Sequence, residues 1–253
     1  TGVQTCALPI LMGIAAFATM KGVTAVARVA TVDTVFVSVE QGAHLGTLAA
    51  WLVGGSVAHL QAWVGLALGL LLMAVVLRHA DFWTFNNLLA GVGTGGLIVA
   101  LWWLSGHWGH LAEHPETLEE VYLATNSGRM ESLSFVAPMA YTLDWLMFFS
   151  DKSKVLSLGI VSALGVVVGS ALCALLNGSF RWEGFGSVED LANHLVGAVL
   201  MGIGGVTAMG CTIGQGLSGV STLSLNSFTA LAAIVLGAVL AMRYQIWRLE
   251  QQI

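Results

Sequence analysis

The stretch Gly202-Ile203-Gly204-Gly205-Val206-Thr207-Ala208-Met209-Gly210-Cys211-Thr212-Ile213-Gly214-Gln215-Gly216-Leu217-Ser218-Gly219 contains seven glycines and one cysteine. It lies inside a longer segment, residues 191–242, that has no Asp, Glu, Lys or Arg. Glycine in a helix interior costs about 1 kcal/mol relative to alanine, so this density predicts a helix break. Irregular backbone at membrane depth is stable only where protein or a polar cavity satisfies its N–H and C=O groups. We therefore expect this segment to line the path of a small solute.

The composition is that of a membrane protein. Of 253 residues, 57% are hydrophobic and 9% are charged, whereas soluble domains carry about 25% charged residues. A helix of roughly 20 apolar residues crosses the hydrocarbon core. The sequence predicts an all-α, polytopic membrane protein in a lipid bilayer, with its clearest spans at residues 62–77, 84–104, 155–176 and 222–242.

Charge and cysteine usage exclude other classes of protein. The net charge of −5 comes mostly from an acidic loop, residues 107–131, and the chain has no basic patch that would bind nucleic acid. Three cysteines in unrelated contexts form neither a zinc motif nor a disulfide framework, so we predict no metal and no cofactor. The loop residues His107, His110, Glu113 and His114 could be drawn as a metal site, but neighbouring glycines and Pro115 favour a solvated loop.

Residues 1–10 resemble the translation of a sequencing adapter, so we expect an artefact there and a native membrane domain over residues 11–253. Residues 11–20 would then be the remaining end of a transmembrane helix, because ten apolar residues are too few to span. The alternative is an ordinary apolar N-terminus in which Pro9 stops a helix.

Several segments outside the spans have features of their own. We expect residues 21–44 to form an extra-membrane connector, and residues 45–59 to form an interfacial or half-crossing helix. Residues 133–149 are apolar but interrupted by Pro138 and Asp144, and this carboxylate is equally compatible with a functional and an interfacial position. His194 is expected to be a polar anchor, and Arg181 with Glu183 an interfacial pair.

Within the span 155–176, the small residues Gly165, Gly169 and Cys173 recur at every fourth position. That spacing places them on one helix face, where a neighbouring helix can approach closely. We therefore interpret Cys173 as a packing residue.

The distribution of lysine and arginine predicts the topology of the second part of the chain. Lys152 and Lys154 precede one span, and Arg243 and Arg248 follow the last, so the positive-inside tendency places both pairs on the cytoplasmic side. An even number of crossings between them requires the glycine-rich segment to enter and leave on one face. We predict a re-entrant hairpin with an inbound helix over residues 191–209 and a tip over residues 210–216, and we expect the acidic loop to lie outside.

A re-entrant tip presents unpaired N–H groups at helix N-termini, which attract anions. Gly210, Gly214 and Gly216 would allow close backbone contact, and Thr212, Gln215 and Ser218 would add neutral donors. No lysine or arginine lies in this stretch, which favours passage over tight binding.

Cys211 is the distinctive residue of this tip. Its thiol is soft and polarizable and suits a substrate that presents sulfur or selenium. The alternative interpretation is a small apolar filler between helices.

The motif at residues 204–219 resembles that of the YeeE/YedE family of sulfur-compound transporters. Supporting matches are Arg181-Trp182-Glu183-Gly184-Phe185, the run Glu131-Ser132-Leu133-Ser134-Phe135-Val136-Ala137-Pro138, and Met20-Lys21-Gly22 with Arg28. The resemblance implies a permease of the bacterial cytoplasmic (inner) membrane, not an enzyme, that takes up thiosulfate or a related sulfur anion. It also implies a cytoplasmic sulfur-carrier protein as partner.

The resemblance further implies a pseudo-symmetric two-half transporter, each half giving a cysteine-bearing loop with re-entrant half-helices. Carried onto this chain, Cys211 is the second-half cysteine, with Gly205, Gly210, Thr212, Gly214, Gln215 and Gly216 around it. No glycine-cysteine loop of the first half is present, so we expect half a site, unable to support uptake alone.

Three alternatives stay open at this stage. One is a selenium-linked relative of the same family. Another is an intramembrane thiol oxidoreductase that pairs Cys211 with Cys173. The last is a structural subunit or a channel for another small solute, for which Cys211→Ser would leave transport intact.

Overall fold

The computed structural model describes residues 4–35, 42–115, 118–181 and 184–251. The chain divides into two compact units. The first is formed by Thr1–Phe36 with Val92–Gly214, and the second by Val37–Gly91 with Gln215–Ile253.

The described residues form nine α-helices and one small hairpin. The α-helices are α1 (Gln4–Lys21), α2 (Val23–Thr31), α3 (Leu45–Val53), α4 (Val57–Leu77), α5 (Phe85–Trp103), α6 (Val136–Met147), α7 (Leu158–Leu176), α8 (Val188–Thr207) and α9 (Leu225–Glu250). A 3₁₀ turn (Ala80–Trp83) and two π-helical turns (Leu104–Trp108 and Gly214–Gly219) accompany them. The hairpin pairs β1 (His110–Leu111) antiparallel to β2 (Val121–Tyr122), with His110 opposite Tyr122.

The predicted spans are confirmed as long apolar helices. Four helical segments are long and apolar enough to cross a membrane: Val57–Leu77, Phe85–Trp108, Leu158–Leu176 and Leu225–Arg248. A fifth crossing is possible if the bent pair Leu8–Lys21 and Val23–Thr31, at 57°, is one broken span. The predicted connector over residues 21–44 is therefore partly helical, since α2 occupies its first part. The protein is an all-α, multi-pass membrane protein.

Besides α2, which belongs to the bent pair, two of the described helices are too short to cross the bilayer. α3 has nine residues and α6 has twelve, which gives about 13 and 18 Å at 1.5 Å per residue. α3 is separated from α4 by Gly54 and Gly55, whose φ angles are 76° and 118°. In α6, Pro138 occupies the third position, where a missing N–H breaks no intrahelical hydrogen bond.

The core of the first unit forms where α1, α6 and α8 pack together. Its buried residues are Met12, Ala16, Val136, Ala140, Ala198 and Val206. Two glycines of α8 make this approach possible. A β-carbon at Gly202 would lie 2.5 Å from the carbonyl oxygen of Met12, and one at Gly205 would lie 2.9 Å from the methyl groups of Val136. Small residues are used in this way at helix contacts in membranes.

In the second unit, short polar contacts join the start of α9 to the turn before α3. The Leu45 N–H donates to the Leu223 carbonyl at 2.9 Å, and the Leu225 N–H donates to the Ala43 carbonyl at 2.9 Å. The Gln61 side-chain amide of α4 donates to the Thr222 carbonyl at 3.2 Å. These bonds satisfy backbone groups at the break before α9.

The predicted packing face of α7 has no partner in the part of the chain that the structure describes. No heavy atom would lie within 4 Å of a β-carbon at Gly165 or Gly169, apart from the helix's own backbone. Cys173 is exposed and its sulfur accepts a hydrogen bond from the Asn177 amide at 3.3 Å. The expectation that this face packs on a neighbouring helix therefore stays a prediction.

The acidic loop contains a small hairpin, and two of its histidines contact other side chains. His107 stacks on Trp103, and His110 Nε2 lies 2.8 Å from Glu120 Oε1. Among the described residues, no three His, Cys, Asp or Glu side chains are grouped so as to hold a metal ion. The proposed pair of Arg181 with Glu183 falls partly outside the described residues, because Glu183 is not among them.

Gly202→Ala is expected to destabilise the first unit, because the added methyl group would collide with the backbone of α1 at Met12 and Ala16. Overpacking of this kind costs about 1–3 kcal/mol. Gly204→Ala is the matched control, since nothing lies within 4 Å of its β-carbon, and it should gain up to about 1 kcal/mol of helix propensity. Thermal unfolding in detergent measures both, and equal midpoints for the two variants would contradict the packing described.

Candidate functional site

α8 ends through a left-handed residue that is not a glycine. Met209 has a φ of 56°, its N–H donates to the Val206 carbonyl at 3.0 Å, and the Gly210 N–H donates to the Gly205 carbonyl at 2.8 Å. These two bonds form a Schellman motif, which satisfies carbonyl groups at the helix end. The chain therefore leaves α8 sharply, immediately before Cys211.

Cys211 begins the next helical segment. Residues 212–221 are helical, and within them Gly214–Gly219 form a wide π-helical turn. The Gly214 N–H donates to the Cys211 sulfur at 3.4 Å. The half-buried cysteine thus occupies the N-cap position and accepts a bond from one of the unpaired N–H groups of the helix start.

The start of α6 reaches the same sulfur from a distant part of the sequence. Ser134 Oγ lies 4.0 Å from Cys211 Sγ. The backbone amides of Phe135 and Val136, and that of Ile213, lie close enough to interact electrostatically with the sulfur. Phe135 is the N-cap of α6. The positive ends of two helices therefore converge on one sulfur atom.

The predicted site residues do not all lie together. Gly210 and Cys211 lie in the break, and Gly214 lies beside the sulfur, where its β-carbon would be 3.8 Å from Sγ. Thr212 is exposed at the first helical position. Gly205 lies within α8 and packs against Val136 of α6.

Gln215 and Gly216 belong to the π-helical turn and not to an open tip. Gln215 is buried, and its amide oxygen accepts a hydrogen bond from Ser227 Oγ of α9 at 2.6 Å. A β-carbon at Gly216 would lie 3.1 Å from a methyl group of Leu231. The break after α8 therefore covers residues 208–211 and not the predicted tip over residues 210–216, and a second break at residues 222–224 precedes α9. The amide of Gln215 already has a partner within the protein.

The sequence interpretation did not include Ser134, Phe135 and Val136 among the site residues. They lie 77 to 75 residues before Cys211, so no local spacing connects them to it. Two signals point to them in the sequence: the family-like run over residues 131–138, which contains all three, and a serine shortly before Pro138, which is typical of a helix start. His194, expected to be a polar anchor, is exposed, and its Nδ1 lies 3.0 Å from Oδ1 of Asp190 on the same helix.

Comparison with known proteins assigns the chain to a family. A family model described as sulphur transport matches residues 3–240. The chain belongs to this family. The resemblance to the YeeE/YedE transporters, first recognised in the glycine-rich motif, is thereby confirmed, and the multi-pass fold agrees with it.

Two curated relatives match parts of the chain. The thiosulfate transporter TsuA of Escherichia coli (strain K12) is 32% identical over 115 residues, which are 46% of this chain and 32% of that protein. The thiosulfate transporter TsuA of Spirochaeta thermophila (strain ATCC 700085 / DSM 6578 / Z-1203) is 36% identical over 74 residues, which are 29% of this chain and 22% of that protein. The matched segments thus span a third or less of the relatives' length.

Met209→Gly is expected to stabilise the protein by up to about 1 kcal/mol, because glycine adopts the left-handed conformation without a clash of its β-carbon. Met209→Ala keeps the β-carbon and should leave this strain in place, which makes it the control. The midpoint of thermal unfolding in detergent compares them, and a stability gain in the alanine variant alone would contradict the assignment.

Gly214→Ala is expected to disturb the contact between Cys211 and α6, because its β-carbon would lie 2.9 Å from Ser134 Oγ. We expect a loss of about 1–3 kcal/mol. Adding Ser134→Gly removes the colliding atoms and should recover most of that loss, so the two changes should be non-additive. A double-mutant cycle of unfolding midpoints measures the coupling, and strict additivity would show that Gly214 and Ser134 are not in contact.

Proposed function

We propose that this chain belongs to a permease for a small sulfur-containing anion, most simply thiosulfate, which passes Cys211 on its way across a bacterial cytoplasmic membrane. The observation that carries the proposal is the convergence of two helix starts on one cysteine sulfur, in a membrane protein of the sulphur transport family. The names of the two relatives support thiosulfate as the substrate.

The chemistry of the site matches the two ends of a thiosulfate ion. Its terminal sulfur is soft and suits a thiol, which is a weak S–H donor and a polarizable acceptor. Its oxygens suit backbone N–H groups, and such groups lie at Phe135, Val136 and Gly214 around the Cys211 sulfur. An anion would bind there through dipoles and hydrogen bonds, without a covalent step.

Weak binding is an advantage for transport. Helix N-termini contribute only a partial positive charge, roughly half an elementary charge each. An ion that is held by partial charges can leave again, which conduction requires. The substrate would contact the thiol transiently, through S–H···S hydrogen bonding, and leave Cys211 chemically unchanged. In the whole transporter, a cytoplasmic sulfur-carrier protein is the proposed recipient.

Protection of Cys211 from alkylation tests this proposal. In a chain with Cys6→Ser and Cys173→Ser, Cys211 is the remaining thiol, and N-ethylmaleimide should label it in membranes. Thiosulfate should slow the labelling, by about twofold when its concentration equals Kd. Sulfate is the matched control, because it is also a divalent anion but lacks a soft terminal sulfur.

The outcomes separate the competing functions. Protection by thiosulfate and not by sulfate supports a sulfur-anion site. Equal protection by both would indicate a channel for small anions in general, and no protection by either would contradict the proposal. In the chain that retains Cys173, formation of a disulfide between Cys173 and Cys211 would favour the redox alternative. Selenosulfate tested beside thiosulfate distinguishes a selenium-linked relative.

A further inference from the structure

A buried carboxylate lies near the other end of α6 from Cys211. Asp144 is 5% exposed and lies three residues before the last residue of the helix, Met147. Lys154 Nζ donates to its Oδ2 at 2.6 Å, and Lys21 Nζ lies 3.6 Å from the same oxygen. Lys21 is the last residue of α1, and Lys154 lies between α6 and α7. One carboxylate therefore connects three parts of the first unit.

The two partners differ from Asp144 in their access to water. The side chains of Lys21 and Lys154 are 53% and 28% exposed, whereas that of Asp144 is 7% exposed. Each lysine can therefore be solvated without its partner, but a buried carboxylate needs its ion pairs. Hydrogen bonding to Asp144 raises the pKa of Lys154, so this lysine stays charged around neutral pH. The contact fixes the geometry at this end of α6.

Hydrogen bonds hold the residues just before α6, among them Ser132 Oγ to the Ile98 carbonyl at 2.9 Å, whereas the packed face of the helix itself makes apolar contacts. Val136 and Ala140 pack on apolar residues of α1 and α8, among them Ala16 and Val206. Apolar packing is non-directional, so a small shift along the helix axis costs less there than at a hydrogen-bonded ion pair. Because a helix of twelve residues is short and stiff, such a shift would move its first amides by the same distance.

We propose that Asp144 is a positioning residue for the Cys211 site. Its ion pairs with Lys154 and Lys21 set how far α6 extends toward the sulfur, and so place Ser134 and the amides of Phe135 and Val136. From Val136 to Asp144 the helix rises about 12 Å. The carboxylate therefore acts through the backbone of α6 and does not contact the substrate. This inference rests on the proposed function of Cys211.

The test uses the chain with Cys211 as its remaining thiol and measures two quantities. One is the rate of labelling by N-ethylmaleimide without any added anion, and the other is the thiosulfate concentration that halves this rate. For Asp144→Asn we expect a changed basal rate and an increase of about tenfold in the half-protecting concentration. That increase corresponds to the loss of about one hydrogen bond to a charged group.

Matched variants separate positioning from a general loss of structure. Asp33 lies outside α6, and its Oδ2 is 3.3 Å from Arg28 Nε. Asp33→Asn removes this ion pair and should change neither the basal labelling rate nor the half-protecting concentration. Lys154→Gln should reproduce part of the Asp144→Asn effect. Lys154→Arg should keep the labelling rate and the protection of the parent chain, because arginine retains the positive charge and the hydrogen-bond donors. If Asp144→Asn fails to fold, the two Lys154 variants carry the test, since that lysine is accessible to water.

The results distinguish this inference from the proposed function. If thiosulfate does not protect the parent chain, the proposed function fails, while the basal labelling rates still report on positioning. If folded Asp144→Asn and Lys154→Gln both match the parent in rate and protection, Asp144 does not position the site and the inference is overturned. The inference is supported if Lys154→Gln changes the labelling rate and the protection by thiosulfate, and Lys154→Arg behaves like the parent chain.

Discussion

The requirement that buried backbone N–H groups find a partner governs the arrangement around Cys211. Each helix start leaves N–H groups without intrahelical acceptors, and hydrocarbon offers none. Here one sulfur atom accepts from Gly214 at 3.4 Å and lies close to the amides of Phe135, Val136 and Ile213. A thiol is a weak acceptor. The same N–H groups can therefore bind an anion with only a small loss of hydrogen-bond energy to the sulfur, and this is the basis of the proposed transport function.

This arrangement depends on close packing in the first unit. Gly202 allows α8 to lie against the backbone of α1, and Gly205 allows Val136 at the start of α6 to lie against α8. Without these glycines the first residues of α6 could not approach the break after α8. At its other end α6 is held by the ion pairs of Asp144. Packing thus sets the lateral position of α6, and we propose that the buried charge sets its axial position.

Some features followed from the sequence because they depend on local properties. The four long spans and the short α3 beside Gly54 and Gly55 reflect hydropathy and backbone preferences over a few residues. The expected interruption of residues 133–149 at Pro138 and Asp144 was wrong, because α6 runs through both residues. The helix break beside Cys211 was also expected, but its cause was not. Met209, not a glycine, adopts the left-handed conformation, since a Schellman motif can impose this conformation on another residue at an exposed helix end.

The sequence by itself determined the membrane class, the family and the cysteine at a helix break, because each is a property of composition or of a continuous motif. Only the tertiary structure decided that Ser134, Phe135 and Val136 share the site, and that Gln215 bonds to Ser227 and does not face an open tip. It also showed that, among the described residues, no neighbouring helix comes within 4 Å of a β-carbon at Gly165 or Gly169. The physical reason is that these features depend on contacts between segments distant in sequence. Local spacing and propensity carry no information about such contacts.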